Sequence, residues 1–421
     1  MMEKAVAVLA KKLAELVEIF RQGGKANDFH WWNENSPRSI FYPLYGYQAG
    51  QPLFETVVQG VLSLNSKMLS EHEVHKRLMY DFLQPQTISV TQSNHLNGES
   101  LINEAENHLK QLVEFEAWQD VDIPIANLWL GGNPVKIGEV TFIRVTEEEL
   151  ERWKKSGLWS DKSPDVWVAA RVRAPGDEQK ALSYARTCVD QALDVLRAFC
   201  FPFGRDSDTW RVGMVGDIIP WASTPMRINN KRFVTILGPA IAMIELGRHI
   251  LPQIEQPRWK LINELVLKAE DSRSDIENKL LSGIHWLAES TKPDTNNSKF
   301  AKISFALETL IGGEPQAEEL KVRGVTAMLA ERAAFIAGEN LGDRLAIDKD
   351  IRRYYGIRGN IVHGGKGDVS LDDIDGFGQL IRRLALALLA KLNELGDKIS
   401  DVEKLEKWVK EQKYTLPEGG T

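Results

Sequence analysis

The stretch "PQIEQPRWK", Pro252 to Lys260, divides the sequence into two parts of different character. Upstream, "EVTFIRVT" (Glu139 to Thr146) and "DVWVAARVRA" (Asp165 to Ala174) alternate apolar and polar residues and are rich in β-branched side chains, which is typical of strands. Downstream, apolar residues recur at helical spacing and no segment has a strand pattern. We therefore predict an α+β domain over residues 1–255 and an all-α domain over residues 256–421, mainly α overall.

Outward toward the N-terminus, the patterns predict a small, mostly antiparallel sheet with several helices. The aromatic segment from Asn27 to Gly50 contains two prolines and is predicted as an ordered loop layer. Helices are predicted from the first residues to Gly23, and over Ser66 to Leu83, Ser100 to Trp118, Glu147 to Lys155 and Ala181 to Phe199. Two further strands are predicted within "TWRVGMVGD" and "KRFVTILG".

Outward toward the C-terminus, the patterns predict a bundle of five or six helices followed by a last amphipathic piece. Turn and capping residues separate the periodic segments, as in "TKPDTNNS" and "GENLGD". The predicted helices are Trp259 to Ala269, Ser274 to Glu289, Ser298 to Gly312, Val322 to Ala337, Ile347 to His363, Asp372 to Leu395 and Val402 to Gln412.

Composition and charge narrow the functional classes. The chain has 421 residues, 43% of them hydrophobic, and a formal net charge of −7 with acidic and basic residues intermixed. No general field therefore draws it to DNA or to an anionic membrane, and a nucleic-acid contact must come from a local patch. The two cysteines, Cys188 and Cys200, are too few for a zinc site and favour a reducing, cytoplasmic setting. No segment approaches about 18 uncharged apolar residues, so no membrane span is expected.

Two segments resemble known functional motifs but lack the residue spacing that those motifs require. "EHEVHK" places His72 and His75 three residues apart, whereas a helical zinc protease needs histidines at i and i+4 with a glutamate between them. "GGKGD" lacks the upstream glycine, the Ser or Thr after the lysine and the preceding strand of a phosphate loop. We therefore expect neither a metal nor a cofactor.

The stretch "YYGIRGNIVHGGKGD", Tyr354 to Asp368, is the strongest candidate for chemistry. Arg358 and His363 lie five residues apart near a helix end that Gly364 and Gly365 terminate. They are therefore about 140° apart around the axis and roughly 7 to 8 Å apart along it. One helix presents such a pair poorly to a common atom, so either the length of the arginine or a second chain must compensate.

Basic residues are concentrated around this pair. The 23-residue window from Arg344 to Lys366 has a surplus of four positive charges, from Arg344, Lys349, Arg352, Arg353, Arg358 and Lys366 against Asp348 and Asp350. Such a local patch suits a polyanion, and Arg352, Arg353 and Lys366 are candidate RNA-binding residues. On residue physics alone, solvated arginines and a histidine favoured by the helix macrodipole would explain the same pattern.

These residues resemble the HEPN superfamily, and specifically its Apea-like branch. The signature is an arginine, four to six intervening residues and a histidine at a helix end, here Arg358-Gly-Asn-Ile-Val-His363, preceded by Tyr355. Upstream, "GIHWLAES" and "KFAKISFALETLIGG" are similar to the first helices of the branch. The resemblance covers about Pro257 to Leu395. The family often has a polar residue directly after the arginine, where this chain has Gly359 and then Asn360.

The resemblance implies a metal-independent RNA endonuclease that acts as a homodimer through its helical domain. Arg358 would stabilise the phosphate charge and His363 would carry protons. Tyr355 and Asn360 are supporting candidates, and Tyr355 is equally well explained as a packing residue. Glu308 either holds Arg358 or pairs within the bundle.

The resemblance also implies a role in prokaryotic antiphage defence or as a toxin, with a phage-derived or other activator at the N-terminal domain. The alternative is a non-catalytic HEPN module that binds or dimerises, because some members of the superfamily do not cleave. A DNA-binding regulator is disfavoured, since the sequence has no recognisable helix-turn-helix or basic arm.

Overall fold

The computed structural model describes residues 2–23, 44–83, 85–86, 96, 98–155, 168–204, 210–215, 224–228, 232–236, 244–246, 257–313, 324–364 and 368–414. For a few residues inside these ranges, His363 among them, it describes the backbone but not the side chain. The chain is mainly helical with a small sheet region. Among the described helices, none combines the length and the apolar character needed to cross a membrane.

The chain divides into two compact units that are interleaved in sequence. Unit 1 consists of Met1–Val121 and Arg173–Ala185, and unit 2 of Asp122–Val172 and Arg186–Thr421. This division does not coincide with the predicted boundary between residues 255 and 256, because most of residues 122–255 group with the C-terminal helices. That residues 1–255 and 256–421 act as two functional domains stays a prediction.

Unit 1 is built on helices α1 (Met2–Gly23), α2 (Leu44–Asn65), α3 (Glu71–Lys76) and α4 (Glu99–Val113), with a π-helical turn at Arg77–Leu83. Helices α2 and α4 both pack on α1, around a core that includes Leu13, Phe54 and Leu109. The unit also contains Asp177, whose carboxylate accepts a hydrogen bond from the Ser70 backbone N–H at 2.5 Å.

Two predictions for unit 1 are wrong. The predicted loop layer ends before Gly50, because α2 begins at Leu44 and continues through Pro52. The helix predicted from Ser66 to Leu83 begins only at Glu71, after a turn at residues 66–68. Proline disfavours a helix interior, but the fully buried Phe54, together with buried valines in the next turns, supplies tertiary packing that outweighs this local preference. The rest of the predicted aromatic loop, residues 27–43, lies outside the described residues.

The sheet region lies mostly in unit 2. A five-stranded sheet has the order β3–β4–β5–β1–β6, formed by β1 (Trp118–Ala126), β3 (Val135–Ile137), β4 (Val140–Arg144), β5 (Val168–Pro175) and β6 (Gly213–Met214). A parallel pair joins β2 (Leu128–Trp129) to β9 (Ile244–Glu245), and an antiparallel pair joins β7 (Thr224–Ile228) to β8 (Arg232–Ile236). Helices α5 (Glu147–Lys155) and α6 (Glu178–Cys200) accompany the sheet.

The strands predicted from alternation are confirmed, and one long strand was missed. Strands β4 and β5 pair antiparallel with Phe142 opposite Ala170, and both strands are parts of predicted segments. Strand β1 was not predicted, although Val121, Ile123 and Ile125 alternate with polar or proline neighbours. The two aspartates and the proline of this strand obscured the signal.

The C-terminal helices are α7 (Pro257–Leu267), α8 (Asp275–Glu289), α9 (Asn296–Ile311), α10 (Gly324–Ala337), α11 (Leu341–Gly364), α12 (Leu371–Leu395) and α13 (Val402–Tyr414). Every helix predicted after Pro257 is present, and α11 begins six residues earlier than predicted. Side-chain caps stabilise the N-termini of several helices. Examples are the capping box of Ser274 with Glu277 on α8 and the Ser370 cap of α12.

Helix α12 is central to this group. It packs against α7, α8, α9, α10 and α11, and none of its large apolar side chains is exposed. Its leucines are buried or half-buried within the chain. Arg382 on α12 also donates to the carbonyl oxygens of Ala198, at 2.7 Å, and Phe201. Burial of this guanidinium lowers the pKa of Arg382 to about 10.

Candidate functional site

Helix α11 carries six of the predicted site residues, including Arg352 and Arg353. It is continuous from Leu341 to Gly364, so it ends at the predicted glycine pair. Tyr355, Arg358, Asn360 and His363 all lie in its last three turns. Because the helix is unbroken between them, the expected separation of Arg358 and His363, about 140° around the axis, applies to their backbone positions. The side chain of His363 and the whole of Lys366 lie outside the described residues.

Glu308 on α9 brings Arg358 and Tyr355 together. Its Oε1 atom lies 3.1 Å from Nη2 of Arg358 and accepts a hydrogen bond from the Tyr355 hydroxyl at 2.9 Å. The Arg358 guanidinium also lies 5.4 Å from the centre of the Tyr355 ring. The three predicted residues therefore form one cluster between α9 and α11, which we call the Arg358 cluster.

Partial burial sets the electrostatics of this cluster. The Arg358 side chain is only 22% exposed, and its Nε atom is buried with no hydrogen-bond partner among the described residues. Burial, reinforced by the hydrogen bond to Glu308, raises the pKa of Tyr355 to about 12. Tyr355 is therefore a neutral hydrogen-bond donor at ordinary pH and unsuited to act as a base.

The predicted RNA-binding arginines are engaged in ion pairs. Arg352 contacts Asp348 through two hydrogen bonds of 2.7 and 3.1 Å, and Arg353 contacts Asp373 at 2.6 Å. Both arginines are exposed, as is Asn360. Because Asp373 and Glu308 lie outside the basic window but pair with its arginines, they reduce its surplus of positive charge from four to two.

Sequence reasoning missed an aspartate–histidine pair. His285 on α8 is hydrogen-bonded through Nδ1 to Oδ2 of the buried Asp194 on α6, at 2.7 Å. This hydrogen bond is the largest cause of the raised pKa of His285. The two residues are 91 positions apart, and no local pattern links them. The imidazole itself could have been noted as a polar residue next to Trp286 in "GIHWLAES".

Glu289 extends the pair into a cluster with metal-ligating chemistry. Ligand atoms of Asp194, His285 and Glu289 lie within 4.8 Å of one another. Both carboxylates are already paired with cations, Asp194 with Arg197 and Glu289 with Lys292. A divalent ion would have to compete with these two cations for the carboxylates.

Compared with family models, curated proteins and solved structures, this chain matches none.

Proposed function

We propose that this chain is a metal-independent RNA endonuclease of the HEPN type, with an α+β N-terminal domain and a HEPN-type helical bundle. The observation that carries the proposal is the Arg358 cluster, in which a partly buried arginine is held by Glu308 beside Tyr355. The same helix carries His363 near its C-terminal end. An oriented guanidinium and an imidazole are the groups that phosphodiester cleavage without a metal requires.

In the proposed reaction the RNA supplies its own nucleophile. A base removes the proton of the 2′-hydroxyl, whose oxygen attacks the adjacent phosphorus, while an acid protonates the departing 5′-oxygen. The products are a 2′,3′-cyclic phosphate and a free 5′-hydroxyl. Arg358 stabilises the charge that develops on the phosphate oxygens, and Glu308, which contacts Nη2, leaves Nη1 for that contact. Tyr355 holds the Glu308 carboxylate in place through the hydrogen bond that its hydroxyl group donates.

A homodimer supplies the two proton carriers. Each chain has one histidine in the motif, and Arg358 and His363 diverge on a single helix. Two helix ends facing each other would provide one imidazole as base and one as acid. Val362, directly before His363, is 53% exposed, which suits a residue at such a contact.

The cellular role follows from the same resemblance. We expect a cytoplasmic enzyme of antiphage defence or a toxin, whose N-terminal domain senses an activator. Exposed Arg352 and Arg353, and Lys366, would contact the RNA backbone after exchange of their aspartate partners for phosphates.

The direct test is RNA cleavage in the presence of EDTA. The full chain should cut total RNA and leave 2′,3′-cyclic phosphate ends. Arg358→Ala and His363→Ala should each reduce the rate by at least about 100-fold, because each removes a group that acts in the transition state. Arg358→Lys should fail as well, since an ammonium cannot reproduce the fork geometry. Leu345→Ala, which alters an exposed apolar residue early in α11, is the matched control and should cut normally.

The alternative is a non-catalytic HEPN module that binds or dimerises. Two observations favour this alternative. Glu308 already forms an ion pair with Nη2 of Arg358, and Gly359 stands directly after the arginine, where the family often has a polar residue. Loss of cleavage in EDTA that magnesium restores would contradict the proposed enzyme. The absence of cleavage with every RNA and activator tested would leave the binding module as the better account.

A further inference from the structure

Three aromatic rings line adjacent surfaces of α8 and α9. The ring centres of His285 and Trp286 are 5.8 Å apart, and those of Trp286 and Phe305 are 5.2 Å apart. His285 and Phe305 are exposed at the two ends, and Trp286 lies half-buried between them. We call these residues the ring strip. Phe305 is 38% exposed, so part of its ring is accessible to a ligand.

The ring strip lies next to the Arg358 cluster. Phe305 precedes Glu308 by three residues on α9, so the two side chains are neighbours on one side of that helix. Glu308 in turn contacts Arg358. An RNA strand with one phosphate bound at Arg358 could therefore place a neighbouring nucleotide beside Phe305.

His285 is held in a fixed orientation at the far end of the strip. Its Nδ1 atom is used by the buried Asp194, while the side chain as a whole is 53% exposed, which leaves Nε2 for a ligand. Asp194 is itself fixed by Arg197, whose guanidinium donates to the carbonyl oxygen of Val212 at 2.8 Å. This support holds the imidazole in one orientation, and Nε2 becomes a hydrogen-bond donor when the ring is protonated.

The remaining charges around His285 cancel in pairs. Asp194 and Glu289, the two carboxylates that act on His285, are paired with Arg197 and Lys292, and Asp294 nearby in the chain is paired with Lys302. Lys302 also reaches the backbone oxygen of Glu289, which ties the last two pairs together. Protonation of His285 therefore adds one positive charge beside these ion pairs.

We propose that the ring strip is a binding subsite for single-stranded RNA, in which a base stacks on Phe305, whose ring lies at 67° to that of Trp286, and the protonated His285 donates a hydrogen bond to the RNA. The proposal rests on the proposed function, because it takes the adjacent Arg358 cluster as the place of cleavage. Stacking on exposed aromatic side chains beside a cation is the usual way in which proteins hold unpaired nucleotides. The subsite selects unpaired RNA, since bases inside a duplex cannot reach the rings.

The test measures RNA binding apart from cleavage. The full chain with His363→Ala is titrated against a fluorescein-labelled single-stranded RNA of mixed sequence, and Kd is read from anisotropy at about pH 6 and about pH 9. Phe305→Ala should weaken binding about fivefold or more, and Phe305→Tyr, which keeps the ring, should not. The parent should bind more weakly at the higher pH, and His285→Gln should abolish that dependence. Leu341→Ala is the control, because Leu341 is 72% exposed and lies about 25 Å along α11 from Arg358.

The outcomes separate this inference from the proposed function. If the parent binds RNA and both Phe305→Ala and His285→Gln behave like Leu341→Ala, the subsite is refuted while the endonuclease proposal stands. Equal affinity for single-stranded and duplex RNA would refute the subsite in the same way. If the parent binds no RNA at either pH and the unmodified chain cuts none, both proposals fall together.

Discussion

Glu308 decides the character of the Arg358 cluster, because one of its oxygens contacts both the arginine and the tyrosine. Sequence reasoning could place these residues in one site, since the order of helices and the resemblance linked α9 to α11. It left open whether Glu308 holds Arg358, and the 3.1 Å contact answers that question. The partnership of His285 with Asp194 could not be predicted, because it depends on how α6 packs against α8.

His285 should titrate above the ordinary histidine pKa of about 6.5. The hydrogen bond to Asp194 stabilises the imidazolium and raises the pKa of His285 in the folded state. The contribution of this pair to stability is therefore complete below about pH 6.5 and is lost as the pH rises through the folded pKa. NMR titration of the imidazole measures the shift, with His285→Gln identifying the resonance. Asp194→Asn should lower the pKa again, and a wild-type value at or below 6.5 would contradict the assignment.

At the scale of elements, local signals located the C-terminal helices well. Ser274, Thr295 and Ser370 each accept a hydrogen bond from the backbone of the first helical turn. These N-cap residues make the helix N-termini recognisable from the sequence. Local sequence patterns did not predict α2, because Pro52 disfavours a helix. Tertiary packing nevertheless stabilises the helix there. Local patterns also failed for β1, because aspartates occupy its polar positions.

Two helical glycines, Gly283 in the contact of α8 with α9 and Gly359 on α11, should respond in opposite directions to alanine. A Cβ atom at Gly283 would lie 2.5 Å from the side chain of Leu310, so Gly283→Ala should destabilise the protein by about 1 to 3 kcal/mol. Nothing lies within 4 Å of a Cβ atom at Gly359, and Gly359→Ala should stabilise α11 by about 0.5 to 1 kcal/mol. Urea unfolding followed by circular dichroism measures both changes. A Gly283→Ala variant as stable as the parent would mean that α8 and α9 lie farther apart than in this structure.

For the whole molecule, the proposed homodimer predicts an enzyme whose activity depends on its own concentration. The exposed Val362, next to His363 on α11, is a candidate for the contact between the two chains. Cleavage per chain should fall as the protein is diluted below its dimer dissociation constant. A carrier protein controls for adsorption, and light scattering gives the oligomeric state. A monomer that keeps full activity at every concentration would refute a site shared between two chains.

The interleaving of the two units affects how a nascent chain can fold. Unit 1 needs residues 173–185, but the ribosome first makes residues 122–172, which belong to unit 2. The backbone N–H of Ser70 meets its acceptor, Asp177, only after another 107 residues have been added. During this interval the N-terminal helices are exposed to chaperones and proteases without their last segment. Unit 1 can therefore be completed only after residues 173–185 have been synthesised.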